Sequence, residues 1–255
     1  MRRYSFFIVA FVGFCLSVVA QPAGEVSTET AERAKAYDVS PFLHNNEKFG
    51  ATGVFDSTYG RLQIRFENVT KDKDNPLVYH VSGASRHMKQ VTPFKGTIQI
   101  TEITKSTGTL NDMLMAMPGM KVEESRIADG LERGDFVFVK ATYNLREDST
   151  KKFSGVFSGN MQFALRVKPD GSLSNDWNRS ESNYYRNFVY QGNWTSYNGK
   201  FFAPATWADG RIPVKDGVDV GQREFQIAPK YEKNGWKRND NGDYVDSPEY
   251  WWRAK

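Results

Sequence analysis

One segment, residues 153–167, limits the possible folds more than any other part of the chain. Every second residue in it is apolar or glycine, namely Phe153, Gly155, Phe157, Gly159, Met161, Phe163, Leu165 and Val167. This period of two is typical of a β-strand with one buried face. At about 3.3 Å per residue the segment would extend for roughly 50 Å, so it must bend, and glycines on the buried face allow a strand to coil. We therefore expect an antiparallel β-barrel closed around one core.

The same alternation recurs along much of the chain. It covers residues 61–69, 77–82, 94–100 and 137–145. A stripe of leucine and methionine predicts one short helix over Leu110 to Met117, ended by Pro118, and a further short helix fits Thr28 to Tyr37. The predicted fold class is therefore mainly β, either an antiparallel barrel or a barrel-like sandwich with one short helix.

A hairpin is predicted where Asn198-Gly199 follows the strand from Tyr184 to Tyr197. Asn-Gly is the preferred pair for a two-residue type I′ loop. The resulting register places Trp194 opposite Ala203, Thr195 opposite Phe202 and Ser196 opposite Phe201.

The first twenty residues have the pattern of a secretory signal peptide. Arg2 and Arg3 precede an uncharged apolar run from Phe6 to Leu16, and small residues lead to a predicted cleavage after Ala20. We divide the chain into a signal peptide at 1–20, a polar N-terminal arm or linker at 21–46 and a single β domain at 47–255.

The number of cysteines and the net charge limit which cellular compartment and which binding partners we expect. The only cysteine, Cys15, lies in the predicted signal peptide, so the mature chain can form no disulfide. Exported eukaryotic proteins of this size usually contain disulfides, so we expect a bacterial protein of the periplasm, cell surface or medium. The 34 basic and 30 acidic residues are nearly balanced, which argues against a nucleic-acid partner. After Ala20 no apolar run is long enough to span a membrane.

No residue pattern predicts a catalytic residue, a cofactor or a metal site. The three histidines, His44, His80 and His87, lack the close spacing of a zinc site, and no Gly-x-Ser-x-Gly motif is present. A pair of carboxylates of the glycosidase kind is the enzymatic arrangement that the sequence leaves open. Its candidates are Glu123, Glu124, Asp209, Asp216, Asp219 and Glu224.

The aromatic residues near the C-terminus suggest a binding surface instead. All six tryptophans lie in the last third of the chain. One face of the strand before Asn198 mixes aromatic rings with amides, which suits a sugar or another small polar or amphipathic ligand. The predicted ligand-binding residues are Tyr185, Asn187, Gln191, Asn193, Tyr197 and Phe202.

The tripeptide Gly192-Asn193-Trp194 resembles the Gly-x-Trp motif of the lipocalins. The resemblance implies a barrel of calycin-like or lipocalin-like general shape, with an apolar ligand inside it. In that family the motif lies near the start of the barrel, whereas here it lies toward the C-terminal side, so we do not assign the chain to it.

These observations favour a soluble, noncatalytic binding protein with a small-molecule or glycan ligand. An envelope structural or protein-partner module is the first alternative, and a glycan-acting hydrolase is the second. An outer-membrane barrel is a further alternative, because its strands also have one apolar face.

Overall fold

Antiparallel strands dominate the computed structural model, which describes residues 26–44, 50–108, 133–175, 186–221, 225–239 and 250–253. The strands are β1 (Ala51–Phe55), β2 (Gly60–Lys71), β3 (Val78–His87), β4 (Gln90–Gly108), β5 (Gly134–Glu147), β6 (Gly155–Val167), β7 (Leu173–Ser174), β8 (Arg186–Ser196) and β9 (Phe202–Gly210). Within the described ranges one α-helix, α1 (Thr28–Ala36), precedes them. Short 3₁₀ turns occupy Ser40–Phe42, Pro229–Asn234 and Trp251–Arg253.

Eight of the strands form a closed ring. Their order is β1, β2, β3, β4, β5, β6, β8 and β9, and β9 pairs again with β1. The two-residue strand β7 pairs with the end of β6, beyond the last residue pair between β6 and β8. The predicted mainly β fold, an antiparallel barrel, is therefore confirmed.

The alternation in the sequence corresponds to burial inside the ring. On β2 the inward residues Leu62, Ile64 and Phe66 are completely buried, and the core also contains the inward residues of β4, β5 and β6. Phe153 is an exception to the predicted inward face. It precedes β6, has a φ of +54° and is 79% exposed, because it belongs to the turn that enters the strand.

The wall between β6 and β8 requires glycine on both strands. Gly159 lies opposite Gly192, and a Cβ on Gly159 would lie 2.3 Å from the carbonyl oxygen of Gln191. A Cβ on Gly192 would lie 2.1 Å from the carbonyl oxygen of Ser158. The glycines thus permit a close approach of two backbones at this point of the barrel.

Helix α1 closes one end of the barrel and agrees with the helix predicted over Thr28 to Tyr37. The Thr30 hydroxyl accepts a hydrogen bond from the Ile103 amide at 3.2 Å, and Arg33 donates to the Ile103 carbonyl at 2.6 Å. Ala34 is completely buried in the main core. The described part of the N-terminal segment therefore packs directly on the barrel.

The hairpin between β8 and β9 has the predicted register but a different turn. Pairing is confirmed for Trp194 with Ala203 and for Thr195 with Phe202. A type I′ loop needs positive φ at both Asn198 and Gly199, and only Gly199 has it, at +68°. The Gly199 amide instead donates to the Ser196 carbonyl, and the Asn198 side chain accepts from the Lys200 amide. A longer loop, in which the Asn198 side-chain oxygen accepts from a backbone amide, therefore stands in place of the predicted two-residue loop.

The segment after β9 packs on the outside of the ring. Its apolar residues form a second, smaller core with Val54, made of Ile212, Val218, Phe225, Ile227 and Trp236. The helix predicted over Leu110 to Met117 lies outside the described residues. Among the described residues, no helix has the length and apolar character needed to cross a membrane.

Candidate functional site

The end of the barrel opposite α1 contains a cavity of about 810 Å³, which we call the cup. Helix α1 bonds to Ile103 in the second half of β4, whereas Gln90 and Thr92 at the start of β4 line the cup. The turns β3–β4, β5–β6 and β8–β9 surround its opening. Small-molecule sites in proteins typically have volumes of about 300–1,000 Å³.

The floor of the cup is half apolar and half polar. It consists of inward residues that lie close to the strand ends, namely Leu62, Ser85, Thr92, Glu147, Phe157 and Trp194. The Phe55 ring lies above this layer, with its centroid 5.7 Å from that of Trp194. Below the floor, Phe157 packs against Trp207 with their ring centroids 6.0 Å apart, so the space beneath the cup is filled by core side chains.

Glu147 places a carboxylate in this floor, beside the Trp194 ring. The residue is 6% exposed and is the last residue of β5. Oε2 accepts hydrogen bonds from Trp194 Nε1 at 2.8 Å and from the Gly155 amide at 2.9 Å, and Oε1 accepts one from the Ser85 hydroxyl. Burial raises the pKa of Glu147, and these three hydrogen bonds oppose the shift. Within the described residues Glu147 forms no ion pair.

His87 contributes a second titratable group to the cup. Its ring centroid lies 4.5 Å from that of Phe55, and Nδ1 is 3.2 Å from the Arg61 carbonyl oxygen. Burial lowers the pKa of His87, so the neutral imidazole, with its proton on Nδ1, fits this site.

Large apolar side chains stand exposed at the opening of the cup. Met88 is 64% exposed, Phe153 is 79% exposed and Phe201 is 60% exposed. Met88 and Phe153 each have a φ of +54°, a left-handed conformation that disfavours bulky side chains. The turns thus hold apolar groups at strained positions around the cup, and strain of this kind often occurs at functional sites.

Three lysines also surround the opening. Lys89 lies in the β3–β4 turn, and Lys151 and Lys152 lie in the β5–β6 turn. Among the described residues that line the cup, Glu147 is the one carboxylate. The cup therefore combines an apolar interior, a positively charged opening and a buried acceptor at its floor.

The structure separates the predicted ligand-binding residues from one another. Gln191 and Asn193 lie on the outer wall, opposite Asn160 and Ser158 of β6. Phe202 is 68% exposed and is not part of the cup, whereas Tyr197 lines the cup. Tyr185 lies outside the described residues.

Asn187 has a structural position. It is 3% exposed, its Oδ1 accepts from the Ala164 amide at 3.0 Å and its Nδ2 donates to the Ala164 carbonyl at 2.9 Å. Its amide group is thus held between β6 and β8 inside the wall.

Glu147 is the residue that the sequence analysis missed. The inward series on β5 was predicted to end at Leu145, and Glu147 occupies the next inward position. Extending the alternation by one step would have identified a carboxylate facing the core.

The predicted carboxylate candidates lie elsewhere. Of those described, Asp219 forms an ion pair with Arg211 at 2.6 Å, and neither Asp209 nor Asp216 lines the cup. Glu123, Glu124 and Glu224 lie outside the described residues. The described part of the chain contains no cluster of histidine, cysteine and acidic residues suited to a metal ion.

The fold and the cup define a closed eight-stranded antiparallel barrel with one sealed end and one open end. Comparison with known proteins finds no matching family model, no matching curated protein and no matching solved structure.

Proposed function

We propose that the chain is an exported binding protein that holds a small amphipathic anion in the cup. The observation that carries this proposal is a cavity of about 810 Å³ with an aromatic interior and three lysines at its opening. Phe55, Trp194 and Phe201 line the cup and offer an apolar surface to the body of a ligand. The lysines attract a negatively charged group, which stays at the hydrated opening.

Export is part of the same proposal. It rests on the basic residues Arg2 and Arg3, the apolar run that follows them and the predicted cleavage after Ala20. A carrier or receptor for a poorly soluble molecule is a common use of a barrel with an open apolar end.

Isothermal titration calorimetry with dodecanoate tests the proposal. The matched variants are Phe201→Ala, which removes a ring that lines the cup, and Phe202→Ala, which removes its exposed neighbour outside the cup. We expect saturable binding to the natural protein and a loss of about tenfold in affinity for Phe201→Ala, equivalent to about 1.4 kcal/mol. Phe202→Ala should change the affinity less than about twofold, since the Phe202 ring lies outside the cup and does not contact the ligand.

Absence of saturable binding to the natural protein would contradict the proposal. A larger loss in Phe202→Ala than in Phe201→Ala would move the site to the outer wall, which the sequence analysis favoured. In that case, probing both variants with a glycan array tests for glycan binding at the outer wall. Both variants retain the outer-wall residues Gln191 and Asn193.

A further inference from the structure

Glu147 is a buried acidic group that forms no ion pair in the described part of the chain. Its three hydrogen-bond donors, Ser85, Trp194 and the Gly155 amide, are all neutral. Buried charges in proteins are usually paired with an opposite charge or fully hydrogen-bonded. A carboxylate at this position can therefore be stabilised further by a bound molecule that supplies a hydrogen-bond donor or a positive charge.

The number of acceptor sites on Glu147 supports this reading. An ionised carboxylate has about four acceptor sites, and three are used here. Oε2 receives two hydrogen bonds, whereas Oε1 receives one, from Ser85. One site on Oε1 remains for a donor, and the Glu147 side chain lines the cup.

Resting on the function proposed above, we propose that Glu147 recognises a hydrogen-bond donor on the buried end of the ligand. The ligand class is then an apolar molecule with an anionic group at one end, near the lysines, and a hydroxyl or ammonium group at the other. A hydroxyl and an ammonium group can each donate a hydrogen bond to Oε1 of Glu147.

Discrimination against a simple apolar end follows from desolvation. A terminal methyl group placed at the floor would displace water from Glu147 without offering a donor. A hydroxyl group restores the lost hydrogen bond, and an ammonium group adds charge neutralisation. Glu147 therefore determines specificity, while the aromatic residues that line the cup supply most of the contact area.

Three probes of equal chain length test the proposal by calorimetry at pH 8, namely dodecanoate, 12-hydroxydodecanoate and 12-aminododecanoate. We expect the natural protein to bind the best donor-bearing probe about tenfold more tightly than dodecanoate, which corresponds to about 1.4 kcal/mol. If 12-aminododecanoate binds best, the natural donor is a cation, and if 12-hydroxydodecanoate binds best, it is a hydroxyl.

Variants at Glu147 separate recognition from folding. Glu147→Leu should bind dodecanoate more tightly than either donor-bearing probe, which reverses the preference. Glu147→Gln places an NH₂ donor where Oε1 stood, so it should keep a preference for the hydroxyl, which can accept as well as donate, and lose any preference for the ammonium. Glu102→Gln, on the outer wall, is the control and should bind as the natural protein does. If Glu147→Leu does not fold, the affinities of Glu147→Gln for the three probes test the proposal.

The possible failures are distinct. Equal affinity of the natural protein for all three probes would overturn this inference and leave the binding function intact. No measurable affinity for any probe would overturn the proposed function and this inference together.

Discussion

At the scale of single residues, the environment of Glu147 couples the stability of the barrel to pH. Burial raises the pKa of Glu147 above its ordinary value of 4.5, so the native state holds this proton more tightly than the unfolded chain does. The protonated Glu147 carboxyl then makes its full contribution to the free energy of unfolding below pH 4.5. This contribution decreases as the pH rises through the raised native pKa.

Glu147→Gln tests this coupling. A neutral amide cannot ionise, its oxygen can accept from Trp194 and Gly155, and its NH₂ group can donate to Ser85. We expect the free energy of unfolding of the variant, relative to the natural protein, to increase between pH 4 and pH 8. The increase should be about 1.4 kcal/mol for each unit by which the native pKa exceeds the unfolded one. Urea unfolding at several pH values measures it, and a difference that stays constant with pH would contradict the assignment.

At the scale of elements, the Asn187 side chain takes the place of backbone hydrogen bonds between β6 and β8. The regular backbone pairing ends at Gln162 with Val189, and Phe188 follows Asn187 with a φ of +46°. At this irregularity the Asn187 side chain bonds to both the amide and the carbonyl of Ala164. One side chain thus satisfies two buried backbone groups that the strand backbone leaves unpaired.

Asn187→Asp should therefore destabilise the fold strongly. The substitution removes the amide donor to the Ala164 carbonyl and places a carboxylate in a buried site. We expect a loss of about 3 kcal/mol in the free energy of unfolding, because a buried acceptor loses its partner and a charge is desolvated. Asn193→Asp, on the outer wall of the same strand, is the matched control and should change stability by less than about 0.5 kcal/mol. Equal effects of the two substitutions in thermal unfolding would refute this structural role.

At the scale of the whole molecule, the two ends of the barrel are built differently. Helix α1 seals one end through Ala34, and the Lys71 ammonium donates to the Tyr37 carbonyl at 2.7 Å just beyond the helix. The other end keeps the cup open. A barrel sealed at both ends would have no entrance for a ligand, and one open at both ends would expose its core to water.

Ala34→Glu tests whether the helix stabilises the whole barrel. Ala34 is completely buried, so a carboxylate there must displace α1 from the core. We expect a loss of at least about 2 kcal/mol in stability, because the helix then exposes apolar surface beneath it. Ala36→Glu places the same charge at an exposed position of the same helix and should have little effect. Similar melting temperatures for the two variants would mean that α1 contributes nothing to the barrel.

Much of the architecture could be predicted from local patterns. The period of two identified the inward residues of β2 and β5, and the glycines of β6 indicated a coiled wall. These properties depend on neighbouring residues along the chain, since a strand alternates its side chains whatever it pairs with.

The cup could not be predicted in this way. Ser85, Glu147 and Trp194 are far apart in the sequence, and only ring closure brings their polar atoms together. Asn187 and Gln191 look alike in an alternating strand, yet a bulge buries the first and leaves the second on the outer wall. The sequence by itself therefore determined which faces are apolar, because that depends on side-chain spacing. The tertiary structure alone decided which polar groups meet, because their contacts depend on how distant strands are registered around the barrel.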